Sequence, residues 1–284
     1  MVEHLLGPLY YERIGRKGSS MVFVHANPMD QSSWMYQMAH LSTWYRCMAI
    51  DLPGYGRSPK AAHGLTLSDL AQACWEAADD AGFDGPAVLV GCSAGSLIIA
   101  QMHHLRPSRT AALVMSGTGD WPEPEWGELL AARIEGYVEQ GVAFRYTYTL
   151  AGFSPEFRTT PLARFFAELF TERNDLADVA SIIYELQALA AQRPPDFYSG
   201  ISCPTLILSG SEDNSYQRAP GLSEAIPHSE LRVLKDAGHA CHLEQPWLFD
   251  RYMTEFLDKY GLLKRAGSPS AAPRTDPLHS SRND

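Results

Sequence analysis

The chain has 284 residues, 45% of them apolar and 20% charged, and a formal net charge of −10. That length is enough for one large domain with a full hydrophobic core, and the acidic balance argues against nucleic acid or an anionic membrane as partner. No apolar stretch reaches the ~20 residues of a membrane-spanning helix. The start, Met1-Val2-Glu3-His4, lacks the apolar run of a signal peptide, and five scattered cysteines (Cys47, Cys74, Cys92, Cys203, Cys241) show no metal-ligand spacing. The expected setting is a cytoplasm that keeps the thiols reduced.

In chain order, strands are predicted at Leu9 to Ile14 and Met21 to His25, with Gly15-Arg16-Lys17-Gly18 as the turn between them. A helix follows at Ser32 to Leu41 and a strand at Arg46 to Asp51. The next helix opens at Leu65-Thr66-Leu67-Ser68-Asp69, with Thr66 or Ser68 as N-cap, and its apolar positions run to Ala81. The run Ala87-Val88-Leu89-Val90 reads as a strand, Ser96 to Leu105 as a helix, and Ala111 to Ser116 as a strand.

From about Gly119 to Ile201 the β signal stops. Amphipathic helices are predicted around Trp126 to Gln140, Pro161 to Thr171 and Leu176 to Gln192. Strands resume at Pro204 to Leu208 and Leu231 to Leu234, and a last helix runs from about Gln245 to Tyr260. Strands alternating with helices imply a mostly parallel sheet covered on both faces, so the fold class is α/β. The expected division is a core over 1–118 and 202–263, a helical cap over 119–201 and a disordered tail over 264–284.

Five residues carry the most chemistry. Gly91-Cys92-Ser93-Ala94-Gly95, between a strand and a helix, has the form of a nucleophile elbow that aims the Ser93 hydroxyl away from the sheet. Four further segments stand around it: His25-Ala26-Asn27-Pro28, Asp51-Leu52-Pro53-Gly54-Tyr55-Gly56-Arg57-Ser58, Gly210-Ser211-Glu212-Asp213 and Gly238-His239-Ala240-Cys241-His242-Leu243-Glu244-Gln245-Pro246.

With these motifs, in this order, the chain resembles the α/β-hydrolase superfamily, and within it the serine hydrolases with a helical cap inserted after the sixth strand. The resemblance spans roughly Leu9 to Leu262. It implies an eight-stranded, mostly parallel sheet and the chain order nucleophile, acid, histidine. By that match Ser93 is the nucleophile, His239 the base and Asp213 the acid, with Glu212 and Asp120 as alternatives for the acid. The backbone N–H groups of Asn27 and Ala94 would hold the oxyanion, although Ala26 and Ser96 stand where the family usually has glycine. Asp51 falls in an architectural loop, Cys92 in a packing position, and His242 near the start of the last helix. Neither cofactor nor metal is implied.

The expected activity is hydrolysis of a small or medium carboxylic ester, lactone or thioester through an acyl-enzyme. An imidazole base fails when protonated, so activity should fall below about pH 6. Ser93 excludes the family's dehalogenases and epoxide hydrolases, which need an aspartate nucleophile. Cofactor-free haloperoxidase-like esterases remain compatible. So do hydrolases of carbon–carbon bonds in ring-cleavage diketones and, from a different class, a non-catalytic ligand-binding protein on the same fold. Most aromatics of 119–201, Trp121 among them, are assigned to that segment's own core. Trp34, Met35 and Tyr146 are assigned to an apolar pocket for an apolar or aromatic acyl substrate. Of Arg133, Arg145, Arg158 and Arg164, one is a candidate for a substrate carboxylate. A homo-oligomer is compatible with the sequence.

Overall fold

The computed structural model describes residues 8–120, 124–172 and 177–263. Trp121 and the 264–284 tail therefore lie outside the described residues. The strands are β1 (Tyr11–Ile14), β2 (Ser19–Val24), β3 (Tyr45–Ile50), β4 (Ala87–Cys92), β5 (Thr110–Ser116), β6 (Thr205–Gly210) and β7 (Ser229–Leu234). They form one sheet in the order β1-β3-β2-β4-β5-β6-β7, with β1 antiparallel to β3 and every other pair parallel. Seven strands thus stand where the resemblance implies eight. Only Pro8 to Tyr10 precede β1 among the described residues, too few to pair as a further strand on that edge.

Alternation along the strands builds two cores. Val22, Val24, Met48, Ile50 and Leu89 face one side, and Met21, Phe23, Cys47, Ala49, Val88 and Val90 face the other. Successive side chains point to opposite faces of a strand, so a sheet covered twice needs apolar residues at nearly every position. Helices α1 (Met35–Leu41), α2 (Leu67–Asp80) and α3 (Ala94–Leu105) follow β2, β3 and β4. Thr66 and Asp69 cap the start of α2 reciprocally, and the Trp75 indole N–H donates to the Met102 carbonyl at 2.8 Å, which fixes α2 against α3.

The long interval between β5 and β6 holds α4 (Glu125–Gln140), α5 (Phe144–Ala151), α6 (Pro161–Glu172) and α7 (Val179–Ala190). Trp126, Leu130 and Tyr137 of α4 share a cluster with Ile182, Leu186 and Leu189 of α7, while Phe166 and Phe170 of α6 pack with Met29, Phe153 and Leu243. The short α5 is absent from the elements predicted above, because five of its eight residues are aromatic or β-branched at no clear helical period. Helices α8 (Ala219–Ala225), α9 (Cys241–Glu244) and α10 (Pro246–Lys259) complete the described chain. Phe249, Met253, Phe256 and Leu257 make the buried stripe of α10.

β2 has β3 on one side and β4 on the other, so the strand order reverses there. Crevices at such a reversal, beyond the carboxyl ends of the strands, are where open α/β sheets bind their ligands. The loops leaving β2, β4, β6 and β7 carry Asn27, Ser93, Asp213 and His239, all at that edge.

Candidate active site

Ser93 sits between β4 and α3 at φ 54°, ψ −114°, a conformation L-residues rarely adopt. The flanking glycines explain how the turn closes. A Cβ on Gly91 would stand 2.4 Å from the Gly95 carbonyl, and one on Gly95 would stand 2.1 Å from the Val24 carbonyl oxygen. The Ser93 N–H donates to Ser116 O at 2.8 Å. Ser96, where the family usually has glycine, takes a constructive part: its hydroxyl lies 3.0 Å from the Gly91 and Ser116 carbonyls and accepts from the Ser116 N–H at 3.1 Å.

His239 and Asp213 meet directly. The His239 Nδ1–H donates to Asp213 Oδ1 at 2.9 Å, while the Ser215 hydroxyl and N–H donate to the same carboxylate at 2.6 and 3.1 Å. Burial pushes the Asp213 carboxyl up, but the neighbouring imidazole charge and these hydrogen bonds outweigh it and hold the group below the usual carboxylate range. Glu212 and Asp120 are both exposed, and among the described residues Asp213 is the carboxylate that pairs with the imidazole. Glu244 fixes the histidine loop by accepting from the Gly238 and Ser154 N–H groups at 2.8 and 3.0 Å and from the Ser154 hydroxyl at 2.7 Å. That accounts for the glutamate of the Gly-His-x-x-x-x-Glu segment.

The loop after β2 is held from several sides. The His25 Nδ1 lies 3.1 Å from Ala26 O and its Nε2 accepts from the Leu52 N–H at 2.9 Å, an assignment made from the partners. Burial pushes this imidazole down to about 4, so it stays neutral as a loop tie. The Asn27 amide donates to the Tyr55 hydroxyl and accepts from the Tyr137 hydroxyl at 3.3 Å. Tyr55 in turn donates to the fully buried Glu185 at 2.5 Å. Arg145, also fully buried, donates to the Pro28 carbonyl and lies over the Tyr55 ring. None of these α4, α5 and α7 contributions to the loop is legible from sequence spacing, because the partners lie more than 80 positions from Asn27. Asp51 accepts from the Gln31 and Arg57 N–H groups at 2.9 and 3.1 Å, the architectural position expected of it.

A cavity of about 180 Å³ opens over this edge, lined by Asn27, Pro28, Met29, Arg133, Tyr148, Asp213 and His239 among others. A narrow recess beside it is lined by Ser93, Gly117, Trp126, Arg133 and His239. Ser93 and His239 thus share one space, and Asn27 and His239 share the adjoining one. Ala94, the first residue of α3, has a backbone N–H that the helix itself leaves without an acceptor.

The three residues assigned to the substrate pocket are elsewhere. Trp34 is fully buried between Phe23, His242 and Phe249, with its ring stacked on His242 at 4.4 Å, because the turn before α1 points it into the sheet face. Met35 packs against the Met29–Phe166 cluster. Tyr146 is half-buried and lines neither space, whereas Tyr148, about 200° further round α5, lines the cavity. Cys92 is 1% exposed and packs beside Gly117, and burial pushes its thiol up to about 12.

The sequence profile of the alpha/beta hydrolase family matches residues 21–249. The chain belongs to this family. The hydrolase is 26% identical over 254 residues to the pimeloyl-(acyl-carrier protein) methyl ester esterase of Vibrio cholerae, an alignment spanning 87% of this chain and 97% of that protein. It superposes with a TM-score of 0.78 on an esterase from Thermogutta terrifontis solved with malate bound, at 26% identity over 89% and 93% of the two chains. It shares the fold of the enol-lactonase from Burkholderia xenovorans LB400, with a TM-score of 0.77 and 20% identity over 88% and 96% of the chains. No helix among the described residues of the hydrolase is long and apolar enough to cross a membrane.

Proposed function

We propose that this α/β hydrolase cleaves carboxylic esters through an acyl-enzyme on Ser93. The observation that carries the reading is Ser93 held at positive φ between β4 and α3, opening onto the same space as the Asp213-bonded His239. A serine hydroxyl becomes a useful nucleophile only when a base removes its proton. In this reading His239 Nε2 takes that proton as Ser93 Oγ attacks the ester carbonyl, and Asp213 stabilises the imidazolium that forms. The N–H groups of Ala94 and Asn27 receive the oxyanion, which exists only in the tetrahedral state and so rewards donors already in place. His239 then passes the proton to the departing alkoxide. Water enters, gives its proton to the same nitrogen, and hydrolyses the acyl-enzyme.

The esterase relatives from Vibrio cholerae and Thermogutta terrifontis support the ester as substrate class. In the same reading the helices between β5 and β6 form a cap over residues 119–201 that closes the site, and the chain works in the cytoplasm, where its free, buried cysteines stay reduced. Stopped-flow hydrolysis of p-nitrophenyl butyrate tests the mechanism. The expected trace is a burst of about one equivalent of nitrophenol per chain before the steady rate, absent from Ser93→Ala. Turnover that persists in Ser93→Ala at the wild-type rate overturns it.

A further inference from the structure

Arg133 projects from α4 into the space above His239 and borders both the main cavity and the recess that holds Ser93. It is 6% exposed, its Nε has no hydrogen-bond partner, and among the described residues no carboxylate lies within ion-pairing distance of it. Its guanidinium lies over the Tyr148 ring at 5.1 Å, a contact that shields one face but supplies no counter-charge. Glu185 feels the Arg133 charge at a distance, but neither of its oxygens reaches the guanidinium: one accepts from the Tyr55 hydroxyl and the other has no partner.

A guanidinium taken out of water without a partner is costly, and structures avoid it unless something else supplies the anion. The other buried charges near the site have partners. Asp213 has His239 and Ser215, and Asp51 has two N–H groups. Arg145 has the Pro28 carbonyl on one nitrogen, with Asp30 and Asp51 in electrostatic range; its Nε and Nη1 are unpartnered, but it lines neither the cavity nor the recess. Of the remaining arginines singled out by the sequence, Arg158 donates to the Ala151 and Phe153 carbonyls, and Arg164 is exposed. Arg133 alone of the four joins burial, a vacant donor and a place beside the proposed catalytic histidine.

We infer that Arg133 is the anchor for a carboxylate carried by the substrate, so that the preferred esters are short and acidic, such as half-esters of dicarboxylic acids. The planar guanidinium offers parallel donors that match a carboxylate's two oxygens. The cavity, about 180 Å³, is below the ~300–1,000 Å³ usual for small-molecule sites, which favours a short spacer. Pro28, Met29 and Ala151 on its wall suit the methylenes between the two ends. Glu212 also borders the cavity, but it is exposed at the rim, where water screens it. This selects Arg133 from the four arginines the sequence offers for a substrate carboxylate, and adds that charge to the apolar or aromatic acyl substrate expected there. It rests on the proposal that Ser93 and His239 act on an ester in this space.

The test compares monomethyl glutarate with dimethyl glutarate. In the wild type kcat/KM favours the acidic ester. In Arg133→Met, with folding checked by circular dichroism, the ratio of acidic to neutral kcat/KM falls about 10- to 100-fold, the range of a charge-assisted hydrogen-bonded pair, and Arg133→Lys retains part of it. A ratio that Arg133→Met leaves unaltered overturns the assignment. Calorimetric titration of Ser93→Ala with the same two compounds reads binding without turnover. Tighter binding of monomethyl glutarate by at least tenfold supports the anchor even if Arg133→Met fails to fold, and equal or absent binding overturns it. A wild type that prefers the acid in binding but hydrolyses neither ester refutes the esterase proposal while upholding the carboxylate site.

Discussion

Glu185 offers a prediction whose size follows from its surroundings. It is fully buried on α7, one oxygen accepts from Tyr55 at 2.5 Å, and the other has no partner. Burial pushes its carboxyl up to about 7 from an ordinary value of 4.5, against the pull of the Tyr55 and Asn27 hydrogen bonds and of Arg133 and Arg145. Between those values the folded chain holds a proton that the unfolded chain has released, so stability falls as pH rises through that window and levels off above it. Each pH unit contributes about 1.4 kcal/mol, so the loss totals about 3 kcal/mol, most of it between pH 5 and 8. Glu185→Gln keeps the shape and an oxygen that accepts from Tyr55 but does not ionise. Urea unfolding followed by tryptophan fluorescence at pH 5, 6, 7 and 8 should show the variant gaining about 2–3 kcal/mol on the wild type across the series. Since total stability is typically ~5–15 kcal/mol, the effect is large enough to read. Stability curves that stay parallel across that range would refute the argument that Glu185 is ionised at the expense of the fold.

Three further outcomes follow from named contacts. Asp213→Asn should lower kcat about 10³–10⁴-fold by unsettling the His239 tautomer, whereas Glu212→Gln stays within a few-fold; equal losses would return the acid's role to an open question. Cys92→Ala should keep activity within a few-fold, and the wild type should resist iodoacetamide at pH 8, since the thiol is buried and pushed up to about 12; rapid inactivation abolished by Cys92→Ala would contradict this. Gly95→Ala places a Cβ 2.1 Å from Val24 O, a backbone clash worth at least ~3 kcal/mol, and should lower Tm by about 8 °C or more; a shift under 2 °C would show that the elbow yields easily.

How far the sequence can be read depends on the range of the forces that set each feature. The seven strands, the cap of α2 and the elbow are written in local patterns of period two, N-cap chemistry and glycine placement; the residue-level reading has all seven strands and the elbow, and narrows the cap to Thr66 or Ser68, of which the fold uses Thr66. The His239–Asp213 pair is what the family resemblance implies, with Glu212 and Asp120 left open beside it, and the hydrogen bond is there at 2.9 Å. The substrate side was not legible. Trp34 and Tyr146 are aromatic residues near the right loops, but whether an aromatic ring faces a cavity or a sheet is decided by tertiary packing that no spacing encodes. Arg133 shows the same limit from the other direction: it is one of six arginines in the helical segment, and what sets it apart is that a buried guanidinium with a vacant donor lines the space beside His239, which only the folded chain reveals. The Asn27–Tyr55–Glu185 chain is likewise a product of three elements brought together by the fold.

The central claim is an activated serine, and covalent labelling tests it most directly. Intact-mass spectrometry after treatment with a fluorophosphonate, on the wild type and Ser93→Ala in parallel, should show a single adduct on the wild type and none on the variant. An unlabelled wild type, under conditions that fully label a serine hydrolase run alongside, would contradict the account and favour a ligand-binding role for the same fold.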